Sequence, residues 1–262
     1  MRGTTSFPPR ALCCVLLLAL VFSALFAAAA AEEETYDVLG DELPMLVNKD
    51  HPVAEDFVPA DLVLLSEVLD TSLVKIKYKN TMAVRAAAEA LEVMLEAAKE
   101  DGIKNWQINA AYRSIADQKK ILDNKIKGYM KNSGLSRAKA KARALRTVAE
   151  PGCSEHHLGL AFDITAKGAS AFKGTKQYKW LNANCWDYGF VIRYQADKTE
   201  ITGFDAEEWH IRYVGKEHAL AMKKANDCLE EYLESLAAKP QPAGFLVDDD
   251  EEDINFEDLI PE

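Results

Sequence analysis

The stretch SEHHLGLAFD, residues Ser154–Asp163, places two candidate metal ligands on either side of a glycine. His156 and Asp163 are seven residues apart, and on one continuous strand an odd spacing would turn them to opposite faces. Gly159 can adopt the backbone conformation that bends the chain between them. After this bend we expect a strand on which Asp163 points to one face while its apolar neighbours face the core.

A second stretch, EEWHIRY at Glu207–Tyr213, supplies a third candidate ligand, His210. A catalytic zinc takes three protein ligands and keeps a fourth position open for water, so His156, Asp163 and His210 would make a complete set. Glu207 lies three residues before His210 and can approach the same ion only from a strand entrance or a bend, which favours a general base over a ligand. The spacing alone leaves a second interpretation open, in which these histidines are hydrogen-bonded structural residues.

The sequence around these stretches predicts a mixture of helices and short strands. Alternating or short apolar runs predict strands at 105–112, 160–164, 190–194 and 209–214. Helical spacing, cap residues and helix stops predict helices at 81–101, 114–132, 136–149, 175–188 and 216–236. We therefore expect an α+β fold, in which a small antiparallel sheet carries the site and is flanked by helices.

The N-terminal segment predicts export from the cytoplasm. Arg2 and Arg10 precede an uncharged apolar run at 11–31, which ends in small residues. This is the pattern of a signal peptide over residues 1–31, and because about 20 apolar residues can span a bilayer, an N-terminal membrane anchor stays open as the alternative. Both place the remaining chain outside the cytoplasm, either secreted or attached to the membrane. Prolines in residues 32–80 predict an extended N-terminal wrap.

Charge is distributed unevenly along the 262 residues, whose formal net charge is −11. Residues 240–262 carry nine acids and no lysine or arginine, so we expect an acidic disordered tail at 239–262 and a folded domain at 81–238. The segment 118–147 instead carries ten basic residues and one acid. It is either a solvated helix face or a contact for an anionic partner. The overall acidity argues against nucleic acid as a partner.

Both stretches resemble motifs of one enzyme family. Residues 154–163 fit the pattern S-x-H-x-x-G-x-A-x-D, and residues 207–215 fit E-x-W-H-x-R-Y-V-G. Further matches follow in the family's order: VNKDHP at 47–52, YRS at 112–114 with Gln118, PG at 151–152, and YGFVIRY at 188–194. On these residues the chain is similar to the zinc D-alanyl-D-alanine carboxypeptidases of VanY type over about residues 46–215.

The resemblance implies a fold, a site and a reaction. It implies that Zn²⁺ is bound by His156, Asp163 and His210, that Glu207 is the catalytic base, and that Arg113 faces the scissile carbonyl. It also implies substrate contacts at three further positions: Ser154, Gln118 and Arg193. The implied reaction is hydrolysis of the C-terminal D-Ala from peptidoglycan stem peptides by metal-activated water. The implied setting is a D,D-peptidase/hedgehog-like fold at the bacterial cell envelope, acting as a monomer.

Alternatives remain within and outside this family. Glu208 stands where a proline is common and adds a second carboxylate beside Glu207, although the spacing to His210 favours Glu207 as the base. An L,D-carboxypeptidase or a cross-link endopeptidase could use the same scaffold. A wall-binding module would retain the fold without turnover.

Three cysteines follow the N-terminal segment: Cys153, Cys185 and Cys228. In an oxidising compartment they allow one disulfide. We expect Cys153 to pair with Cys185, because each lies beside one of the patterned segments. The alternative is that all three are small buried apolar residues.

Overall fold

The computed structural model describes residue 37, residue 39 and residues 43–238 of the chain. The expected signal peptide or anchor at 1–31 and the expected acidic tail at 239–262 lie outside the described residues. Within the described part, no helix combines the length and the apolar character needed to cross a membrane.

A five-stranded mixed sheet forms the centre of the fold. In chain order the strands are β1 (Leu62–Leu64), β2 (Val74–Ile76), β3 (Met82–Val84), β4 (Trp106–Ala110), β5 (Ala161–Ala166), β6 (Phe190–Tyr194) and β7 (Glu207–Tyr213). The spatial order in the main sheet is β2-β4-β5-β7-β6, while β1 and β3 form a separate two-stranded ladder. Neighbours are antiparallel except β2 and β4, which run parallel. Strand β5 therefore lies in the middle, next to β7.

Helices surround this sheet. In chain order they are α1 (Leu65–Val68), α2 (Arg85–Glu100), α3 (Ile115–Ser133), α4 (Arg137–Ala144), α5 (Lys176–Asn184), α6 (Thr199–Thr202), α7 (Lys216–Ala225) and α8 (Leu229–Ala237). Two short 3₁₀ turns, Glu155–Leu158 and Cys185–Tyr188, precede β5 and β6. The expected α+β class is confirmed.

The main core lies between α2 and the sheet. Six apolar residues of α2 at helical spacing are buried: Ala87, Ala88, Leu91, Met94, Leu95 and Ala98. On β5, Phe162 and Ile164 are fully buried in the same core. Because side chains alternate along a strand, Asp163 between them points to the other face, as predicted. Removing apolar surface from water contributes roughly 25 cal/mol per Å², so this core holds the strand in one register.

A helical hairpin, α3 and α4, packs beside the main core around a small core of its own. Its buried residues are Leu122, Ile126, Ala140 and Ala144. Ser114 caps α3 by accepting from the backbone N–H of Asp117, and Ser136 caps α4 by accepting from Lys139. Both caps are those expected from the sequence, since a serine oxygen satisfies a free N–H of the first turn. Helix α4 ends at Ala144, earlier than expected.

The structure differs from the expected elements in three places. Residues 32–80 are not only an extended wrap, because they include β1, α1 and the edge strand β2. The sheet is not purely antiparallel, since β2 pairs in parallel with β4. The single helix expected at 216–236 is two helices, because Asn226 ends α7 in the left-handed conformation with φ of 59°.

The expected disulfide between Cys153 and Cys185 is wrong. Both residues, and Cys228, are free thiols. Cys185 is fully buried in the main core, and burial raises the pKa of its thiol. Cys153 lies in the partly exposed chain before the first 3₁₀ turn. The two lie in different surroundings, which their closeness to patterned segments could not show.

Candidate metal centre

Two adjacent strands and one turn bring the three predicted ligands together. Asp163 on β5 and His210 on β7 are directly paired across the antiparallel ladder. His156 comes from the 3₁₀ turn that precedes β5, and Gly159 ends this turn with φ of 66°. A Cβ on Gly159 would lie 3.0 Å from Leu62 and 3.2 Å from Val84, so both its conformation and its surroundings require glycine. The bend that the odd spacing demands is confirmed.

Each histidine turns a different ring nitrogen toward the aspartate. Nε2 of His156 lies 3.4 Å from Oδ1 of Asp163, and Nδ1 of His210 lies 3.5 Å from the same oxygen. One ligand atom from each of the three residues lies within 4.8 Å of the others. Two imidazoles and one carboxylate at this separation are a donor set that zinc accepts.

The remaining nitrogen of each ring faces an oxygen on the protein side. Nδ1 of His156 lies 2.6 Å from the carbonyl oxygen of Ala111. Nε2 of His210 lies 3.5 Å from Oε2 of Glu155, a carboxylate that is fully buried. Such outer contacts place the hydrogen on the far nitrogen and leave the near one free to bind a metal. The residues present therefore fit a zinc ion.

The electrostatics of the cluster favour a cation. Burial, helped by Arg113, lowers the pKa of His156 to about 4, which makes its ring neutral at pH 7. Burial alone would also lower the pKa of His210, but the carboxylates of Asp163 and Glu155 raise it to about 9. Although burial opposes it, His156 and His210 hold the pKa of Asp163 well below its ordinary value. The carboxylates thus attract positive charge at this point, which a divalent ion can supply in place of a proton.

Glu207 reaches the cluster because β7 is irregular. The pairing of β6 with β7 shifts between Ile192 and Tyr194, so that Tyr194 lies opposite Glu207. This bulge lets Glu207 and His210, three residues apart, point into one cavity, with 3.7 Å between Oε2 and Nδ1. Burial raises the pKa of Glu207 to about 7. A carboxylate with this pKa can both take up and release a proton near neutral pH.

Glu208 points elsewhere, which resolves the choice between the two neighbouring glutamates. Its Oε1 lies 3.1 Å from Nζ of Lys173. It lines a different cavity, with Lys173 and Tyr178, and does not line the one that contains the metal cluster. Glu207 is therefore the glutamate in position to act as a base.

Arg113 forms one wall of the site through two directed hydrogen bonds. Its Nη2 donates to Oδ2 of Asp163 at 3.0 Å, and its Nη1 donates to Oε1 of Gln118 at 2.8 Å. Gln118 in turn donates to the carbonyl oxygen of Ala149 at 2.8 Å and is completely buried. Since both ends of this amide have partners within the protein, Gln118 holds Arg113 in place. Gln118 also lines the cavity of the metal cluster, and its contact with substrate stays a prediction.

Arg193, unlike Gln118, is not placed to make the substrate contact expected from the sequence. Its guanidinium is 1% exposed and is bound by two carboxylates, Glu155 and Glu230. It does not line the cavity of the metal cluster, because these ion pairs hold it behind His210. No role was predicted for Glu155 from the sequence. The only signal was its position directly before His156, and a charged residue there gave no reason to expect complete burial.

The cavity over the metal cluster has a volume of about 290 Å³. Its lining includes the cluster itself, Glu207, Arg113, Gln118 and Ser154, of which Ser154 is 5% exposed. The predicted contact of Ser154 with substrate stays a prediction. The structure adds lining residues that were not singled out individually: Ile121, Lys125, Tyr194, Phe204 and Trp209. Tyr194 packs against both Phe204 and the ring of His210. The cavity therefore has aromatic walls and a polar floor.

His157, the residue after the metal-binding His156, is buried and connects two segments of the chain. Its Nδ1 lies 2.7 Å from the carbonyl oxygen of Arg113, and its Nε2 accepts from the backbone N–H of Gly152 at 3.1 Å. It ties the loop that carries Arg113 to the chain before the metal-binding turn.

A buried cluster of two histidines and one aspartate, with a glutamate and an arginine at one cavity, defines a single-metal hydrolase site. Residues 80–216 match the VanY family, D-alanyl-D-alanine carboxypeptidase. The chain belongs to this family. The resemblance noted in the sequence is thereby confirmed.

Individual relatives agree with this assignment. A D-alanyl-D-alanine carboxypeptidase of Enterococcus faecalis is 38% identical over 72% of this chain, which spans 65% of that relative's length. The structure of a variant of the D,D-pentapeptidase VanY in complex with Zn(II) has a TM-score of 0.62 at 38% identity, covering 72% of this chain and 97% of that one. The structure of the LdcB LD-carboxypeptidase has a TM-score of 0.60 at 33% identity, and the match covers 77% of this chain and 94% of that one.

Proposed function

We propose that this chain is a zinc-dependent D,D-carboxypeptidase that hydrolyses the C-terminal D-Ala from peptidoglycan stem peptides. The observation that carries the proposal is the convergence of His156, Asp163 and His210 at one cavity with Glu207 and Arg113. The VanY family and its zinc-containing member support the metal and the substrate class.

His156, Asp163 and His210 would hold the zinc. When bound, zinc supplies Lewis acidity and lowers the pKa of water toward about 7. Glu207 takes a proton from the attacking water at its carboxylate and delivers it to the departing amine. Its raised pKa suits both transfers, since the group is neither too acidic to accept the proton nor too basic to release it.

Arg113 faces the place where negative charge develops on the scissile carbonyl oxygen. Asp163 and Gln118 fix its guanidinium at the cavity wall, so no reorganisation is needed when the charge appears. Burial lowers the pKa of Arg113, opposed by Asp163 and Glu207, but a guanidinium is not deprotonated near neutral pH and keeps its charge through the cycle.

A carboxypeptidase must also hold the free carboxylate of its substrate. Arg193 is bound by Glu155 and Glu230. Among the described residues that line the cavity, Lys125 is the one lysine or arginine besides Arg113. We assign the carboxylate contact to Lys125, with Ser154 as a second donor in the same lining.

The test is incubation of the purified chain with a pentapeptide that ends in D-Ala-D-Ala, with and without a chelator. We expect release of one D-Ala that stops on chelation and returns when zinc is added. Release that persists after complete zinc removal, or zinc-loaded protein that releases no D-Ala, would contradict the proposal.

L,D-carboxypeptidase activity is a second candidate, favoured by the similarity to the LdcB LD-carboxypeptidase. A tetrapeptide that ends in a single D-Ala after an L-centre distinguishes the two. Product from the tetrapeptide but not from the pentapeptide would assign the L,D reaction.

We further propose that the enzyme acts outside the cytoplasm of a bacterial cell, as a monomer. The pattern of residues 1–31 supports export or anchoring. A monomer is supported because the metal cluster, Glu207 and Arg113 line one cavity of a single chain, so the proposed reaction needs no residue from a second copy. Detection of the protein in the envelope or medium, and its mass in solution, test the two statements.

A further inference from the structure

A buried network of charges lies behind the metal cluster. At its centre is Glu155, whose side chain is fully buried. Its Oε1 accepts from Nε of Arg193 at 2.7 Å and lies 3.2 Å from Nη1 of Arg212. Its Oε2 faces Nε2 of His210 at 3.5 Å. One carboxylate therefore faces three cationic or proton-bearing groups that are themselves almost completely buried.

The network continues to the C-terminal helix. Both Nη atoms of Arg193 donate to the carboxylate of Glu230 on α8, at 2.9 and 2.7 Å. Asn48 donates to the same carboxylate at 3.2 Å. A continuous chain of polar contacts thus runs from α8 through Arg193 and Glu155 to the ring of His210.

The end of this chain at His210 decides which ring nitrogen carries the hydrogen. Within the described residues, Nε2 of His210 and Oε2 of Glu155 are both buried and neither makes a hydrogen bond, so each atom has the other, 3.5 Å away, as its facing group. A lone pair on Nε2 would face the carboxylate and be repelled by it, whereas a hydrogen there is attracted. Glu155 therefore selects the form in which Nδ1 is free to bind a metal.

We propose that Glu155 is a positioning residue of the metal centre, and that Glu230 supports it from α8 through Arg193. Glu155 is not one of the three grouped ligands and does not line the cavity; it acts by orienting His210. The C-terminal helix is then part of the apparatus that sets zinc affinity. This inference rests on the zinc site of the proposed function and is independent of the substrate.

The experiment compares zinc affinity in four variants and the wild-type chain, by competition with a chromophoric chelator. Glu155→Gln removes the charge, Glu155→Asp keeps it but withdraws it from His210, and Glu230→Gln removes the link to α8. Glu231→Gln is the matched control, since Glu231 lies on the same helix and pairs with Lys198 outside the network. The ring nitrogen shifts of His210, measured by NMR on the zinc-free protein at a pH well above the ring's pKa of about 9, report which nitrogen of the neutral ring carries the hydrogen.

Loss of an outer partner of a metal-binding histidine typically costs about 10- to 100-fold in metal affinity. We expect a loss of this size for Glu155→Asp, with some His210 converted to the other ring form. Glu230→Gln should lose less affinity than Glu155→Asp but more than the control, which should match the wild type.

Glu155→Gln leaves two buried arginines short of a counter-charge and is expected to be strongly destabilised. The decision therefore depends on Glu155→Asp and Glu230→Gln, each checked by circular dichroism. Folded variants with wild-type zinc affinity and an unchanged His210 ring form would overturn the inference about Glu155 and would leave the proposed function standing. A wild-type chain that binds no zinc would overturn both this inference and the proposed function, whereas zinc-loaded wild type without turnover would overturn only the proposed function.

Discussion

Two cavities of this molecule differ in size and in what surrounds them. The larger, about 590 Å³, lies at the edge strand β2 and is lined by four exposed lysines: Lys75, Lys79, Lys104 and Lys167. The smaller, about 290 Å³, lies over β5 and β7 and contains the metal cluster. Among the described residues, the larger cavity is lined by no acid or histidine.

The convergence of buried titratable groups, and not the volume, distinguishes the chemical site from the larger cavity. In the smaller cavity burial raises the pKa of Glu207 to about 7, and a network of buried ion pairs supports the floor from behind. Perturbed groups of this kind concentrate at functional sites because burial and neighbouring charges are needed to tune them.

The largest effect is expected for Glu207→Gln. Loss of the proton acceptor should lower kcat by about 10²- to 10⁴-fold, because general acid–base catalysis contributes that much. Zinc content should be retained, since Glu207 is not a ligand. Glu208→Gln is the control and should keep wild-type turnover, because Glu208 pairs with Lys173 outside the cavity. Turnover is measured by D-Ala release and zinc content by metal analysis. Equal activity of the two variants would contradict the role of Glu207 as the base.

The next effect is expected for Arg113→Lys. Lysine keeps the charge but cannot bind Asp163 and Gln118 together, so the group that stabilises the developing oxyanion loses its fixed direction. We expect kcat to fall by about 10²-fold, as for loss of one oxyanion donor. Arg143→Lys, on an exposed helix face, serves as control. Steady-state kinetics decide, and a change in KM alone would argue against this role.

A smaller effect, on stability, is expected for Glu230→Gln. Burial would raise the pKa of Glu230, but Arg193 lowers it below its ordinary 4.5. A carboxylate with a lowered folded-state pKa stabilises above the unfolded-state value, and this contribution is lost as the pH falls through the folded-state value. At pH 7 the variant should lose about 1.5–3 kcal/mol of unfolding free energy.

The difference between wild type and Glu230→Gln should shrink below about pH 4.5, the ordinary pKa of a glutamate in the unfolded chain. Urea unfolding of the zinc-free protein at several pH values measures it. A difference that stays constant down to pH 3 would show that Arg193 does not stabilise the ionised carboxylate.

The smallest effect is expected for a pair of lysine variants, one in each cavity. Lys125→Ala should raise KM about three- to tenfold, because an exposed ionic contact is worth roughly 1 kcal/mol. Lys104→Ala, in the larger cavity, should leave both kcat and KM unchanged. A rise in KM for Lys104→Ala but not for Lys125→Ala would transfer substrate binding to the larger cavity.

Local patterns were sufficient to predict the parts of the structure that depend on neighbours in sequence. The serine caps of α3 and α4, the buried face of α2 and the bend at Gly159 follow from residue types and spacing. The metal cluster was predictable because its motifs match a family. The three-residue strands β1 and β2 carry too little periodicity to be recognised.

What the sequence could not show depends on contacts between distant residues. Arg193 meets Glu230 and Glu155 across 37 and 38 positions, and these partners turn an expected substrate contact into a buried support. Gln118 likewise takes its position from a hydrogen bond to Ala149, 31 positions further along the chain. The proposed pairing of Cys153 with Cys185 failed for the same reason, since only the packing shows that one is in the core and the other is not.

The separate core of the α3–α4 hairpin has a consequence for how this enzyme could change. Ile121 and Lys125 of the hairpin form one wall of the cavity over the metal cluster. The hairpin's own apolar contacts are separate from those that hold β5 and β7. If the proposed peptidase function holds, substitutions on this wall would alter which peptide is accepted without disturbing His156, Asp163 and His210. Grafting the hairpin of a relative onto this scaffold offers a direct route to redesigned selectivity.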